Sequence, residues 1–569
     1  MPANTRLTRA ALVAALAAAA PAAAQAPAEG PLTHAPRPTS GPISVQDLRT
    51  HVYVLADDSM MGREAGSRGN VQGTDYVAAQ LRRMGLQPAG DNGTFFQNVP
   101  LISRGPRAGG TLSVDGTALA ATDFVAMPTV GGFLLFGPSF NSTGAPAVYG
   151  GRIGEPGTMI TPEQAAGKFI VFAAPLGQNG QPVSQFWQRG TLERYHQAAG
   201  IAIATLDLTS RPTTEFFRST QVELDHGEAP VPAAPGVIVT SAAAERMMGA
   251  PLAGLQVGAA GRTVSGSFGF EQKPTAFPAR NVVAVLPGSD PVLRNQYVAV
   301  GAHNDHVGTS ENAVDHDSLH AFNQVFRPEG ADQQPDSVTP EKTAQMQAIL
   351  QELRRRRPTA RRDSVYNGAD DDASGTAAVL EIAQYLQTRR PRRSVVFVWH
   401  TAEEMGLYGS EYFTDHPTVP RDSIVAQLNM DMVGRGGAGD VKNGGPGYLE
   451  LVGSRRLSTH LGDLIEEVNR TGSHGFTFDY TMDAAGHPQQ IYCRSDHYNY
   501  ARYGIPITFF TTGGHYDYHM VTDEAQYIDF EKLHKVSHFV ASVAEAIANR
   551  PDRLALTAPR PDPHGQCRQ

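Results

Sequence analysis

Cysteine is scarce in this chain: Cys493 and Cys567 are the two among 569 residues. A metal site would therefore be built from imidazole and carboxylate rather than from a thiolate cluster. Export would permit a disulfide between the two, but Cys567 lies in a Pro-rich tail that reads as loose, and no bridge is expected. Basic charge is short as well. The net charge of −9 gives no reason to expect a nucleic-acid partner. The one basic run, residues 354–357 with Arg361 and Arg362, follows a helix-like segment and reads as a solvated face. After the first residues no apolar run reaches the ~20 positions that a membrane span needs, so no membrane anchor is expected.

What is present begins with an export pattern. Arg6 and Arg9 precede the apolar stretch 10–20, and Ala22, Ala23 and Ala24 offer a small-residue cleavage site. Cleavage after Ala24 leaves residues 1–24 as a signal peptide and predicts an exported protein, periplasmic or secreted. Hydrophobic content of 41% and charged content of 18% are those of an ordinary globular protein, and the length suffices for two or three domains.

Residues 25–42 are rich in Ala and Pro and read as a disordered linker. Residues 43–129 open with helical patterns at 43–56 and 71–84, separated by a loop containing Gly62 and Arg63, and continue into a strand near 95–101. From 130 to 272 short β-like runs dominate (133–136, 168–173, 201–206, 236–240, 263–270), with helical patterns at 192–199 and 242–248. None ends in a cluster of metal-ligand residues, which suggests an inserted module without a catalytic centre. Residues 273–550 alternate strand, loop and helix. The runs 282–286, 297–302, 394–399, 424–430, 448–452 and 505–510 are near-continuously apolar, as in strands buried on both faces of a mixed, mostly parallel sheet in an α/β fold. Residues 307–366 interrupt this pattern with a helix capped by Thr339 and running from Pro340 to about 357, either a lid or a surface loop. Residues 551–569 read as a flexible tail.

The chemistry gathers at the carboxyl ends of those strands, where open α/β sheets bind ligands. One strand delivers His303, Asn304, Asp305 and His306; the next delivers Glu403 and Glu404; a third delivers Asp431; the last runs into His515 and the Tyr518-His519 pair. Before the helical pattern 373–390 stand three consecutive acids, Asp370, Asp371 and Asp372, between Gly368 and Gly375. One acid would cap that helix; three together repel unless a cation neutralises them. Imidazole plus carboxylate suits zinc or another first-row dication. The ligands are too many for one tetrahedral ion with an open position. They fit two ions about 3.5–4 Å apart that share a carboxylate and a water, with an adjacent carboxylate left as general base.

These residues resemble the co-catalytic zinc exopeptidases, which include secreted bacterial aminopeptidases and glutamate carboxypeptidase. The resemblance rests on His303-x-Asp305, the stretch 368–375, Glu403-Glu404, Asn429-Met430-Asp431 and Tyr518-His519, in that order across about 275–550, with 43–100 similar to the family's N-terminal segment. Residues 130–272 are similar to a protease-associated domain around 167–171 and 198–201. The resemblance implies two zinc ions per chain: Asp371 shared, His303 and Asp431 on one ion, Glu404 and His519 on the other. It implies that Glu403 is the base, that a hydroxide bridging the metals attacks a peptide carbonyl, and that Asp305 orients His303. Asp370 and Asp372 become loop and cap residues. His497 and His515 compete with His519 for the last position. The reading is an aminopeptidase acting on peptides. Its rivals are a carboxypeptidase, a single-zinc glutaminyl cyclase and a catalytically silent binding module. The sequence carries nothing on oligomeric state.

Overall fold

Three nearly continuous apolar runs lie side by side as parallel strands: β2 (Tyr297–His303), β3 (Ser394–His400) and β4 (Ile424–Met430). β3 and β4 are buried at every position and β2 at all but its first, because helices cover both faces of the sheet. The computed structural model describes residues 30–31, 33–34 and 41–569, apart from 128–129, 132, 135–137, 156, 178, 184–190, 228–231, 332 and 357–360. The signal peptide expected at 1–24 lies outside the described residues, as does most of the linker. Its described part is docked, with Gly30 N–H donating to Gln526 O at 2.8 Å.

The sheet extends to β1 (Ala279–Leu286), antiparallel beside β3, to β6 (Ile507–Thr511), parallel beside β4, and to β5 (Tyr448–Val452), antiparallel beside β6. Short strands Gln87–Pro88 and Phe96–Val99 pair with β1, and Thr477–Asp479 pairs with β5. The order β1-β3-β2-β4-β6-β5 is the mixed, mostly parallel sheet expected. On one face lie the helices Val45–Leu55, Arg68–Met84, Gly375–Arg389 and Phe530–Asn549. Ala377, Leu380, Ala383 and Leu386, one stripe of Gly375–Arg389, are fully buried there. The opposite face is closed by Phe413, Leu457 and Tyr500.

The β-rich part forms a second sheet with its own core. Its strands start before residue 130: Thr111–Val114 and Phe124–Ala126 belong to it, and Leu112, Val114 and Phe124 pack into its core. A three-stranded neck of Leu101–Pro106, Gln221–Leu224 and Phe270–Pro274 joins it to the central sheet. Leu101 and Leu224 of the neck pack with Ala402 and Tyr408 beyond the end of β3.

The interruption after β2 is built as a hairpin, Thr309–Asp315 with Arg362–Val365, enclosing two helices. Pro340–Arg356 starts under Thr339, whose hydroxyl accepts from Lys342 N–H at 3.3 Å, and has no buried residue. The other helix, His316–Phe326, is amphipathic and docked: His320 Nδ1 is 3.0 Å from Asp517 Oδ1. Residues 307–366 are thereby fastened to the segment that carries His519.

The tail corrects the expectation of a loose end. Cys493 and Cys567 are joined in a disulfide, Leu556 and Cys567 pack against the core, and Thr557 N–H donates to Leu457 O at 2.9 Å. Extended chain that docks through backbone bonds carries no hydrophobic period, so Pro-rich composition hid it. Arg107 N–H donates to Gly269 O at 2.8 Å, so the ends of the second sheet are adjacent. Excising 108–268 through a short linker should leave zinc binding intact, because all the proposed ligands lie outside that range. Folding by circular dichroism together with metal content checks this; a folded product without metal would refute it.

Candidate metal centre

The three consecutive acids point three ways. Asp370 accepts from Gly434 N–H at 2.6 Å and lies 3.2 Å from His515 Nε2. Asp372 accepts from the N–H groups of His303 at 3.0 Å and Gly375 at 2.9 Å, so it caps the helix and ties it to β2. Asp371, joined to Asp372 by a cis peptide bond, is left facing the cleft. Gly368 starts this turn at φ +56°, and a Cβ there would stand 2.2 Å from Asp371 O. Beneath the turn the buried guanidinium of Arg63 donates to Asn367 O at 2.7 Å, Gly368 O at 2.9 Å and Leu55 O at 2.6 Å. Burial lowers its pKa, opposed by Asp371, Asp372, Asp305 and Asp523. The loop Gly62-Arg63 was visible in the sequence, but nothing local marked its arginine as a support.

Around Asp371 the expected residues converge. His303 Nε2 is 3.0 Å from Asp371 Oδ1 and 3.6 Å from Asp431 Oδ1. His519 Nε2 is 3.1 Å from Asp371 Oδ2 and 2.9 Å from Glu404 Oε2. The two oxygens of one carboxylate thus face two separate histidines. His303 Nδ1 lies 3.1 Å from the carbonyl of Asp305, which can only accept, so Nδ1 carries the proton. In the neutral ring Nε2 is then a lone pair aimed at carboxylate oxygens, an arrangement that only a cation reconciles. Protons show the same demand. Burial would lower the pKa of His519, but Glu404 and Asp371 push it up to about 11. Two groupings of donors within reach of a metal lie here, His303 with Asp372 and Asp431, and His306 with Asp371 and Glu404, and imidazole with carboxylate suits dications.

The surrounding contacts refine the roles. Asp305 is fully buried; its carbonyl holds His303, while its carboxylate, 3.7 Å from His303 Nδ1, accepts from Glu403 N–H at 3.1 Å. Ser495 donates to Asp431 Oδ2 at 2.8 Å and accepts from Asn429 Nδ2 at 2.9 Å. Glu403 lines the same cleft, its carboxyl held well above the usual range by burial, against the pull of His303. Of the competitors, His515 is engaged with Asp370, and His497 stacks on Phe509 with ring centroids 4.9 Å apart, its pKa lowered to about 3 by burial. Neither faces Asp371.

His306 is the residue that sequence reasoning named in its cluster and then left without a role. Its Nδ1 is 2.6 Å from Glu404 Oε1 and 3.7 Å from Asp371 Oδ2. The signal was its place in the run 303–306 leaving β2. A third grouping, His316, Asp363 and Glu524, already holds a cation: Arg361 donates to Glu524 Oε2 and to Asp363 Oδ2, each at 2.7 Å.

Residues 349–544 match Peptidase family M28. The chain is similar to that family over this segment. It is 35% identical over 151 residues to Leucine aminopeptidase 1 of Coccidioides posadasii (strain C735), covering 25% of this chain and 36% of that protein. It is 27% identical over 221 residues to a probable zinc metalloprotease of Pyricularia oryzae, covering 33% and 43%. These alignments span less than half the length of the relatives they match. Among solved structures it is similar to the aminopeptidase from Aneurinibacillus sp. strain AM-1, at 17% identity and a TM-score of 0.46, over 91% of this chain and 97% of that one. The zinc aminopeptidase BSAP from Bacillus subtilis follows at 16% identity and 0.41, over 89% and 95%.

The neighbours Glu403 and Glu404 should separate on substitution. Glu403→Gln should leave metal content near normal and lower kcat by a factor on the order of 10²–10⁴, as for loss of a general base. Glu404→Gln should weaken metal binding, with activity partly recovered in excess zinc. Metal content and kcat on both variants decide, and the opposite pattern would exchange the two roles. Arg63→Ala should destabilise the fold by about 3–5 kcal/mol, because carboxylates and carbonyls lose their buried cation; denaturant unfolding measures it.

Proposed function

We propose that this chain is an exported zinc-dependent exopeptidase that removes residues from the amino terminus of peptides. The observation that carries the reading is the carboxylate of Asp371, whose two oxygens lie 3.0 Å from His303 Nε2 and 3.1 Å from His519 Nε2. In this reading His303 and Asp431 would hold one zinc ion, Glu404 and His519 the other, and Asp371 would serve both. Bound there, two zinc ions would supply Lewis acidity that activates water and polarises the scissile carbonyl.

The chain's own residues supply the rest. Glu403 takes a proton from the attacking water and delivers it to the leaving amine. Burial makes its carboxyl a strong proton acceptor, and cations nearby favour its ionised form. Asp305 fixes the tautomer of His303 and the backbone of Glu403. His306 holds Glu404 Oε1, which leaves Oε2 on the side of His519. Ser495 turns Asp431 in the same manner. The cleft above these groups has a volume of about 810 Å³, enough for the end of a peptide.

Export is supported by the pattern at 1–24 and by the Cys493–Cys567 disulfide, a bond favoured in oxidising compartments. Among the described residues no helix is long and apolar enough to cross a membrane. The second sheet is taken as a protease-associated-like module that adjusts substrate range.

Metal analysis of the active protein should give two zinc ions per chain, with activity lost to a chelator and restored by zinc. Full activity with one ion would overturn the shared role of Asp371 and favour the glutaminyl cyclase reading. Short peptides with free, N-blocked and C-blocked ends test the direction: blocking the amino end should abolish cleavage. Loss on blocking the carboxyl end instead identifies a carboxypeptidase, and zinc binding without hydrolysis a silent module.

A further inference from the structure

The cleft continues past the metal centre to the inner edge of β5, where Tyr448, Glu450 and Asp479 meet. Glu450 pairs in register with Thr511 of β6 and with Asp479 on its other side. Phe510, the neighbour of Thr511, pairs with Met430, and Asp431 follows Met430. Asp431 and Glu450 therefore lie on opposite flanks of Thr511, two strand spacings or about 10 Å apart.

Donors are too few for the acceptors at this end. The Tyr448 hydroxyl has one proton, which it donates to Glu450, with Asp479 Oδ2 also 3.3 Å away. Asp479 Oδ1 accepts from Thr481 N–H at 2.8 Å and Thr481 Oγ at 2.6 Å. Glu450 Oε2 has no hydrogen-bond partner among the described residues, although Glu450 is only 4% exposed. A buried carboxylate oxygen without a donor is costly unless a cation or donor arrives. Lys532 Nζ donates to Gly436 O at 2.8 Å and Gly445 O at 3.1 Å, not to Glu450. Space is kept in front of the acid by Gly513, where a Cβ would stand 2.9 Å from Glu450 Oε1. Met432, Phe509 and Met482 add apolar surface to the same cleft. A side chain with an apolar stem and a cationic head matches both parts.

We propose that Glu450, with Asp479 and Tyr448, is a subsite for the cationic side chain of a lysine or arginine beside the scissile bond. This rests on the peptidase reading and names a substrate class for it. Zinc-loaded protein is assayed on Lys-, Arg- and Leu-4-nitroanilide, and its binding of argininamide and norleucinamide is followed by calorimetry. The expected results are cleavage of the basic substrates, and a ratio of kcat/KM for Lys over Leu that falls on the order of tenfold in Glu450→Gln, mainly through KM. Argininamide should bind more tightly than norleucinamide and lose that advantage in Glu450→Gln. Asp479→Asn, at a half-buried position, should change the ratio in the same direction if the first variant folds poorly. An unchanged ratio in both variants, or cleavage of the Leu substrate alone, overturns the subsite. If no substrate is cleaved the peptidase reading fails, and the calorimetric comparison still decides the subsite.

Discussion

Everything in this fold that concerns chemistry depends on holding like charges together. Asp371, Glu403, Glu404 and Asp431 converge with the imidazoles of His303 and His519 in one cleft. Such a set is stable only with cations, and the scaffold is arranged to keep the carboxylates in place for them. Asp372 and Asp370 are consumed by backbone N–H groups, and Asp523 accepts from the N–H groups of Asp370 and Asp371 at 3.1 Å. Arg63 places a permanent positive charge beneath the turn. Asp371 is thus held by its own turn together with Arg63 and Asp523, from two distant parts of the chain.

The sheet topology explains why those parts meet. β2, β3, β4 and β6 run parallel, so their carboxyl ends lie on one edge, and every loop leaving that edge contributes a group. The interruption at 307–366 then closes one side: Ala331 N–H donates to Tyr518 O at 3.2 Å, next to His519. Asp517 is held between His320 at 3.0 Å and Arg435 at 3.1 Å. The last histidine is therefore positioned by the interruption as much as by β6.

Much of this was legible in the residues. Strands buried on both faces leave unbroken apolar runs, and ligands that leave strand ends appear as short polar clusters directly after those runs, as at His303, Glu403 and Asp431. The helix at 375–389 declared itself by its apolar period and by the acids before it. What stayed hidden are interactions between distant segments. Arg63 supports Gly368 across 305 residues, and Ser495 reaches Asp431 across 64. His306 was in view, but its bond to Glu404 depends on a loop crossing that spacing does not encode. The first strands of the second sheet, Thr111–Val114 and Phe124–Ala126, are short and sit among turns, which blurs their period.

The tail's attachment has a further consequence. Cys493 lines the cleft, two residues before Ser495, and its partner Cys567 comes 74 residues later, after the whole central sheet has been laid down. One wall of the cleft is thus tied to the tail only once Cys567 is in place and thiols can oxidise. The finished shape of that wall therefore depends on oxidation as well as on folding.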